Sequence, residues 1–382
     1  MKTRAAVLWG KNEEWKIEEV ELGDPAPDEV IVKTAFAGMC HSDEHLVTGD
    51  IAVPDEVLEM IGAPHFFPMI GGHEGSGVVH SVGSNVTSVA PGDHISVSFI
   101  PSCGTCHWCS TGRQNLCDLG AATLAGGMIG DGQYRHHING TPVNRMAQLG
   151  TFSEYMLVSE ASVIKVEPDL PLDAVAMVSC GVATGVGSAQ NRAEVKAGDT
   201  VVVVGIGGVG ANALQGAKMS GAANIIAIDT NPDKKEMAEE FGATHFYSSF
   251  DDAVLHVMEM THGIMADSCI LTPGVTPGEI LEPALNIISK DGTIVVTGLA
   301  PMEQRDVKLD LFSLSMYNKE IKGSIFGSSS PRSEVPRLLR EYQRGALKLH
   351  ELITNTYALD DINTGYQDMR DGKNIRGVIA FD

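Results

Sequence analysis

The sequence is short of positive charge. Its 27 lysines and arginines face 49 aspartates and glutamates, a formal net charge of -22 over 382 residues. Nucleic-acid binders need cations to displace the counterions of the phosphate backbone, so that class is disfavoured, as is docking on an anionic membrane. The opening residues, MKTRAAVLWGKNEEW, lack the uncharged stretch of a signal-peptide core. An uncharged run of eighteen residues, Thr200 to Ala217, has nearly the length of a membrane span. Glycines and an asparagine interrupt it, however, and a strand followed by a glycine turn explains it better. Cysteine is scarce as well: there are seven, an odd number. With no export signal expected, this points to the cytoplasm, where thiols stay reduced and disulfides are rare. No internal repeat or low-complexity tract is present.

A chain of this length is too long for one ordinary core and is expected to form two domains. Up to about residue 180 it consists of short apolar runs broken by glycine, proline and aspartate: EVIVKTAFAG, GSGVVHSVG, GDHISVSF, SEYMLVSEASVIKV. That is the texture of an irregular, mainly-β domain. From about Asp199 buried strands alternate with helices, which implies a parallel α/β sheet. Gly327 to Glu334, GSSSPRSE, is the nearest thing to a linker. Beyond it, EVPRLLREYQRGAL predicts a helix and RGVIAF a closing strand.

The hexapeptide GIGGVG, Gly205 to Gly210, fits G-x-G-x-x-G. It follows the strand TVVVV and opens a helix, and Asp229 ends the next strand nineteen residues on. This is the context a dinucleotide-binding turn requires. Gly205 permits the tight turn, Gly207 lets the backbone approach a pyrophosphate, and Gly210 allows close helix–strand packing. Gly208 and Val209 open the helix, whose free N–H groups favour phosphate. Asp229 can accept hydrogen bonds from ribose hydroxyls and would repel a 2′-phosphate, so NAD is favoured over NADP. Lys234 and Lys235 leave NADP a small opening.

Four of the seven cysteines, Cys103, Cys106, Cys109 and Cys117, are spaced C-x2-C-x2-C-x7-C. The pattern supplies four soft ligands from one loop, which suits tetrahedral zinc. An iron–sulfur run would usually continue with C-P, whereas Cys117 precedes Asp118. No thioredoxin-like unit surrounds the C-x2-C steps. A closed four-thiolate site has no position for substrate, so this zinc is expected to be structural. Other candidate ligands, Cys40, His73 and Cys180, are scattered, and spacing alone does not join them.

Over essentially its whole length the chain resembles the zinc-dependent medium-chain alcohol dehydrogenases. GHEGSGVVHSVGSNV fits their G-H-E-x2-G-x5-G-x2-V signature, and the order of cysteine, G-H-E, four-cysteine lobe, cysteine and glycine turn is the same. The resemblance implies a Rossmann-type doubly wound sheet plus a GroES-like catalytic domain, at 1-181 and 182-324 with a return at 325-382. It makes Cys40, His73 and Cys180 ligands of a catalytic zinc and leaves Cys269 an inert core thiol. Two thiolates and one neutral imidazole leave one zinc position open, where the metal lowers an alcohol's pKa while the carbinol carbon passes hydride to NAD.

The resemblance assigns proton release to Ser42, the nicotinamide ribose and then His45 near solvent. Asp43 is implied to orient His73, Glu74 to tune the metal, and Arg376 and His41 to approach the cofactor pyrophosphate. CHSDEHLVTGD, STGRQNLCDLGA and GYQDMRDGKNIRGVI look most like the actinobacterial nicotinoprotein alcohol dehydrogenases, in which NAD stays bound and an external acceptor reoxidises it. Two zinc ions per chain and a homo-oligomer are further expectations. One departure is GDIAVPDEVLEMIGAPHFFPMI before His73, longer than usual, whose centre Asp55 to Ile61 predicts an extra helix. The glycine-rich ATLAGGMIGDGQYRHHINGT reads as another variable insertion. The alternatives are a thiol-dependent formaldehyde dehydrogenase and, from another class, a non-catalytic cofactor-sensing or scaffold protein.

Overall fold

A computed structural model describes residues 1–122, 126–301, 304–305 and 307–382. They form two compact units, Met1–Cys180 with Ser330–Asp382, and Gly181–Ser329. Among the described residues no helix is long and apolar enough to cross a membrane.

The first unit is built on two sheets of six and seven strands. The central strand of the larger one, Glu29–Gly38, is mostly buried, and both its edges are paired. Along one edge runs Glu74–Val82, antiparallel, with two register shifts. The other edge is shared, with Glu29 to Lys33 pairing with Tyr155–Ser159 and Phe36 to Gly38 pairing with Arg376–Ala380. The helix expected in EVPRLLREYQRGAL forms as Pro331–Gln343, and the closing strand as Arg376–Ala380.

Directly after the central strand the chain turns into helix His41–Thr48, with Cys40 as its N-cap. Gly49, at φ 82°, ends that helix in the left-handed conformation, which costs glycine least. Helix Asp55–Ile61 is where the sequence predicts it: Pro54 precedes it, Asp55 and Glu56 fill its positive end, and Gly62 stops it. Trp15, Met39, Leu46, Met69, Phe152 and Tyr366 pack beneath these segments. Trp15 stacks on Tyr366 at 6.1 Å and meets Phe152 edge-on at 5.8 Å. Each such side chain contributes about 1.5–3 kcal/mol on burial. Within the glycine-rich insertion, residues 123–125 fall outside the described part; the stretch after them contains strand His136–Ile138.

The second unit is a six-stranded parallel sheet. Its spatial order is His245–Tyr247, Asn224–Ile228, Thr200–Val204, Ala266–Leu271, Ile288–Val296 and Glu320–Gly323. In chain order these strands run 3-2-1-4-5-6, the doubly wound arrangement with its switch point beside the first strand. All five residues of Thr200–Val204 are buried. Cys269 lies fully buried in the same apolar core.

Candidate active site

In the second unit the glycine turn stands at the end of strand Thr200–Val204. Gly205 has φ 85°, and a Cβ there would meet the Pro273 nitrogen at 2.7 Å. A Cβ on Gly210 would meet the Gly205 carbonyl at 2.2 Å, so helix Gly208–Met219 seats against the turn only with glycine there. Above Gly207, by contrast, a Cβ would meet nothing within 4 Å, which leaves the open face a pyrophosphate needs. Asp229 is buried, and its carboxylate accepts from the Ile206 and Asn231 backbone N–H groups at 2.7 and 3.0 Å. Lys234 Nζ donates to Asp229 Oδ2 at 2.9 Å, which fixes the lysine beside the expected ribose position.

In the first unit four residues from three segments converge. One ligand atom each from Cys40, His73, Glu74 and Cys180 lies within 4.8 Å of the others, and all four residues are buried. Cys40 comes from the start of helix His41–Thr48, His73 and Glu74 from the entry to strand Glu74–Val82, and Cys180 from the chain after helix Leu172–Met177. Asp43 is fully buried and clamps the imidazole from behind. Its Oδ1 accepts from the Gly72 N–H at 2.7 Å, and its Oδ2 lies 3.1 Å from His73 Nδ1. Nδ1, although close to Asp43, makes no hydrogen bond of good geometry, and His73 Nε2 is likewise buried without one among the described residues. A buried ring nitrogen without a partner is costly unless something occupies it. Two thiols and this nitrogen, with Glu74 alongside, are a donor set that fits zinc.

The charge balance of the cluster is local. Cys40 is held well below the ordinary thiol range, first by its hydrogen bond with Cys180 and then by His73 and Arg376. The same contact with Cys40, with burial next, pushes Cys180 well above that range. Burial works against charge on His73, yet Asp43 and Cys40 hold the ring well above its usual value. Burial pushes Glu74 up to about 7, with Arg376 opposing. Arg376 is itself buried, and its guanidinium donates to Glu74 Oε2. The structure therefore engages Arg376 with Glu74, a pairing that sequence reasoning missed because strand register brings the two together.

Ser42 Oγ is 3.7 Å from Cys40 Sγ, while His41 is exposed. His45 differs from expectation: placed near solvent on sequence grounds, it is buried, its side chain 4% exposed. The cause is its position on the inward face of helix His41–Thr48, beside buried Asp43 and Leu46. Its Nδ1 is 2.9 Å from Asp50 Oδ2, a residue that sequence reasoning passed over.

The second cluster is one loop. Cys103, Cys106, Cys109 and Cys117 bring their sulfurs within 4.8 Å of one another. Backbone N–H groups of Cys103, Cys106 and Cys109 donate to the sulfurs of Cys117, Cys103 and Cys106 at 3.3–3.5 Å. The Cys103–Cys109 sulfur separation, 3.9 Å, is close to the ~3.8 Å that two zinc–sulfur bonds at a tetrahedral angle produce. Burial opposes ionisation of Cys103, but the surrounding N–H donors bring it to about 6; burial pushes Cys109 up to about 12.

A glycine turn at the switch point of a doubly wound sheet, and a buried donor set with an unmatched imidazole nitrogen, define a metal-dependent dehydrogenase. Comparison with known proteins identifies the family. Residues 26–168 match the alcohol dehydrogenase GroES-like domain, and residues 208–344 match the zinc-binding dehydrogenase domain. The chain is 50% identical over 379 residues to NDMA-dependent alcohol dehydrogenase of Amycolatopsis methanolica, covering 99% of each. It is 46% identical over 381 residues to alcohol dehydrogenase B of Mycobacterium tuberculosis, covering 100% of this chain and 99% of that one. Benzyl alcohol dehydrogenase from Acinetobacter calcoaceticus superposes with a TM-score of 0.89 at 30% identity over the full length of both. The chain belongs to the zinc-dependent medium-chain alcohol dehydrogenases and is an oxidoreductase of that family.

Proposed function

We propose that this enzyme oxidises alcohols to aldehydes or ketones, and runs the reverse reaction, using NAD and two zinc ions per chain. The observation that carries the reading is the buried convergence of Cys40, His73 and Cys180 with an unpartnered His73 Nε2. These three residues would hold the catalytic ion, and Cys103, Cys106, Cys109 and Cys117 the structural one. When bound, the catalytic ion supplies Lewis acidity that lowers the alcohol's pKa.

The chain's own residues do the rest. Asp43 fixes the His73 ring through Nδ1, which keeps Nε2 directed at the ligand cluster. Ser42 takes the alcohol proton through its hydroxyl, and His45 receives it further along. Glu74 and Arg376 set the charge behind the ligands, since an unpaired buried carboxylate there would be costly. Arg376 gives one guanidinium nitrogen to Glu74 and keeps others for the pyrophosphate, and His41, which is exposed, makes a second contact. Gly205, Gly207, Gly208, Val209 and Gly210 cradle the pyrophosphate, and Asp229 with Lys234 binds the adenosine ribose. The 50% identity to an NDMA-dependent relative supports NAD that stays bound and is recycled by an external acceptor. Homo-oligomerisation and a cytoplasmic location complete the proposal.

The test is metal analysis and an absorbance spectrum of desalted protein, followed by an alcohol. Two zincs per chain and reduction of cofactor without added NAD are expected. A strict need for added NAD would leave an ordinary dehydrogenase. A formaldehyde rate that needs glutathione or mycothiol, with none for simple alcohols, would replace the alcohol reading. No hydride transfer in either direction would leave a binding protein.

A further inference from the structure

The end of helix His41–Thr48 is folded back on itself. Gly49 reverses the chain and donates its N–H to the His45 carbonyl at 3.1 Å, so Asp50 returns over the last turn. Asp50 Oδ2 there receives two groups, the Thr48 hydroxyl at 2.7 Å and His45 Nδ1 at 2.9 Å. Of this trio His45 is buried, while the Asp50 side chain is 29% exposed. Among the described residues, ionisable groups facing the pair include Lys11, lying across Gly49 from the turn after strand Lys2–Leu8, and His41 of the same helix. The Thr48 hydroxyl first, and His45 second, hold the Asp50 carboxyl below its ordinary range, so it is ionised at neutral pH.

An imidazole can take a proton at one nitrogen only if the other carries the hydrogen, and a carboxylate facing Nδ1 selects that tautomer. We propose that Asp50 is the positioning residue of His45, holding Nδ1–H toward itself so that Nε2 is the proton acceptor, and stabilising the imidazolium formed on acceptance. The O–H bond of the hydroxyl before it in the relay breaks, that proton ends on Nε2, and the Nδ1 hydrogen stays shared with Asp50. Thr48 serves as the strut that keeps the carboxylate in line. This inference rests on the relay role of His45 proposed above.

The experiment compares Asp50→Asn, Asp50→Glu and His45→Gln as purified holoenzymes. Single-turnover cofactor reduction by an alcohol is followed from about pH 6 to 10, with thermal midpoints measured in parallel. Asp50→Asn is expected to slow reduction at least about tenfold. It should also move the acid limb of the rate–pH profile to lower pH, because a carboxylate beside an imidazole favours its charged form. Asp50→Glu, which keeps the charge, is expected to recover much of the rate. If His45→Gln slows reduction while Asp50→Asn changes neither rate nor profile, this inference is overturned and the relay stands. A lower thermal midpoint for Asp50→Asn with an unmoved profile also overturns it, since that is all a structural role would give. If His45→Gln leaves the rate intact, the relay reading itself fails.

Discussion

The two cysteine clusters solve the same chemical problem in opposite ways. The lobe at Cys103–Cys117 draws all four sulfurs from one loop and surrounds them with that loop's own N–H groups. The other cluster draws two sulfurs, an imidazole and a carboxylate from three distant segments, and balances them with an arginine from a fourth. Cys103 and Cys106 are partly exposed, whereas every member of the dispersed cluster is buried. A local, self-satisfied site can be closed and inert. A dispersed site is completed only by the whole fold, and a zinc held there by Cys40, His73 and Cys180, as proposed, would keep one position open.

The dispersed cluster is most vulnerable at Cys40. Cys40→Ser should lower turnover at least about a thousandfold, since Lewis-acid assistance is worth several kcal/mol and each 1.36 kcal/mol is tenfold. The protein should stay folded and lose one zinc by metal analysis; retained activity would remove Cys40 from the ligand set. Asp43→Asn should cost about 10–100-fold in activity or metal affinity, because it loosens the His73 ring without touching a sulfur. Titration with a chelator reads that loss directly. Cys103→Ser should act on stability first. A fall of about 3 kcal/mol, several degrees in the thermal midpoint, is expected, while the surviving folded fraction turns over at close to its normal rate. An immediate loss of turnover at full stability would contradict the division of labour. The smallest effect is expected at Cys269, which belongs to neither cluster and whose thiol is pushed up by burial. Cys269→Ala should cost about 1 kcal/mol in denaturant unfolding and leave zinc content and activity alone.

How much could be read before the fold was known follows the same division. The C-x2-C-x2-C-x7-C lobe and the G-x-G-x-x-G turn are local, so residue spacing carries their geometry. The extra helix at Asp55–Ile61 was equally legible, because its proline, acids and closing glycine are all within reach of one another. Cys40, His73 and Cys180 were joined only by family resemblance, since no spacing rule spans that distance. The Glu74–Arg376 pair and the burial of His45 were not legible at all. The first depends on the register of strand Arg376–Ala380, and the second on which face of an eight-residue helix turns inward. Asp50 escaped notice because a carboxylate after a glycine reads as an ordinary turn residue.

The shared edge of strand Glu29–Gly38 has a consequence for the order of assembly. Its first half is capped by Tyr155–Ser159, but its second half waits for Arg376–Ala380, which the ribosome makes only after all of Gly181–Ser329. A nascent chain interrupted after Cys180 would own every sulfur and the imidazole of the dispersed cluster. It would still lack the cation that faces Glu74 and the strand that closes the sheet above Gly38. The lobe at Cys103–Cys117 can be complete on a half-made protein; the chemistry cannot begin until the chain has come back to where it started.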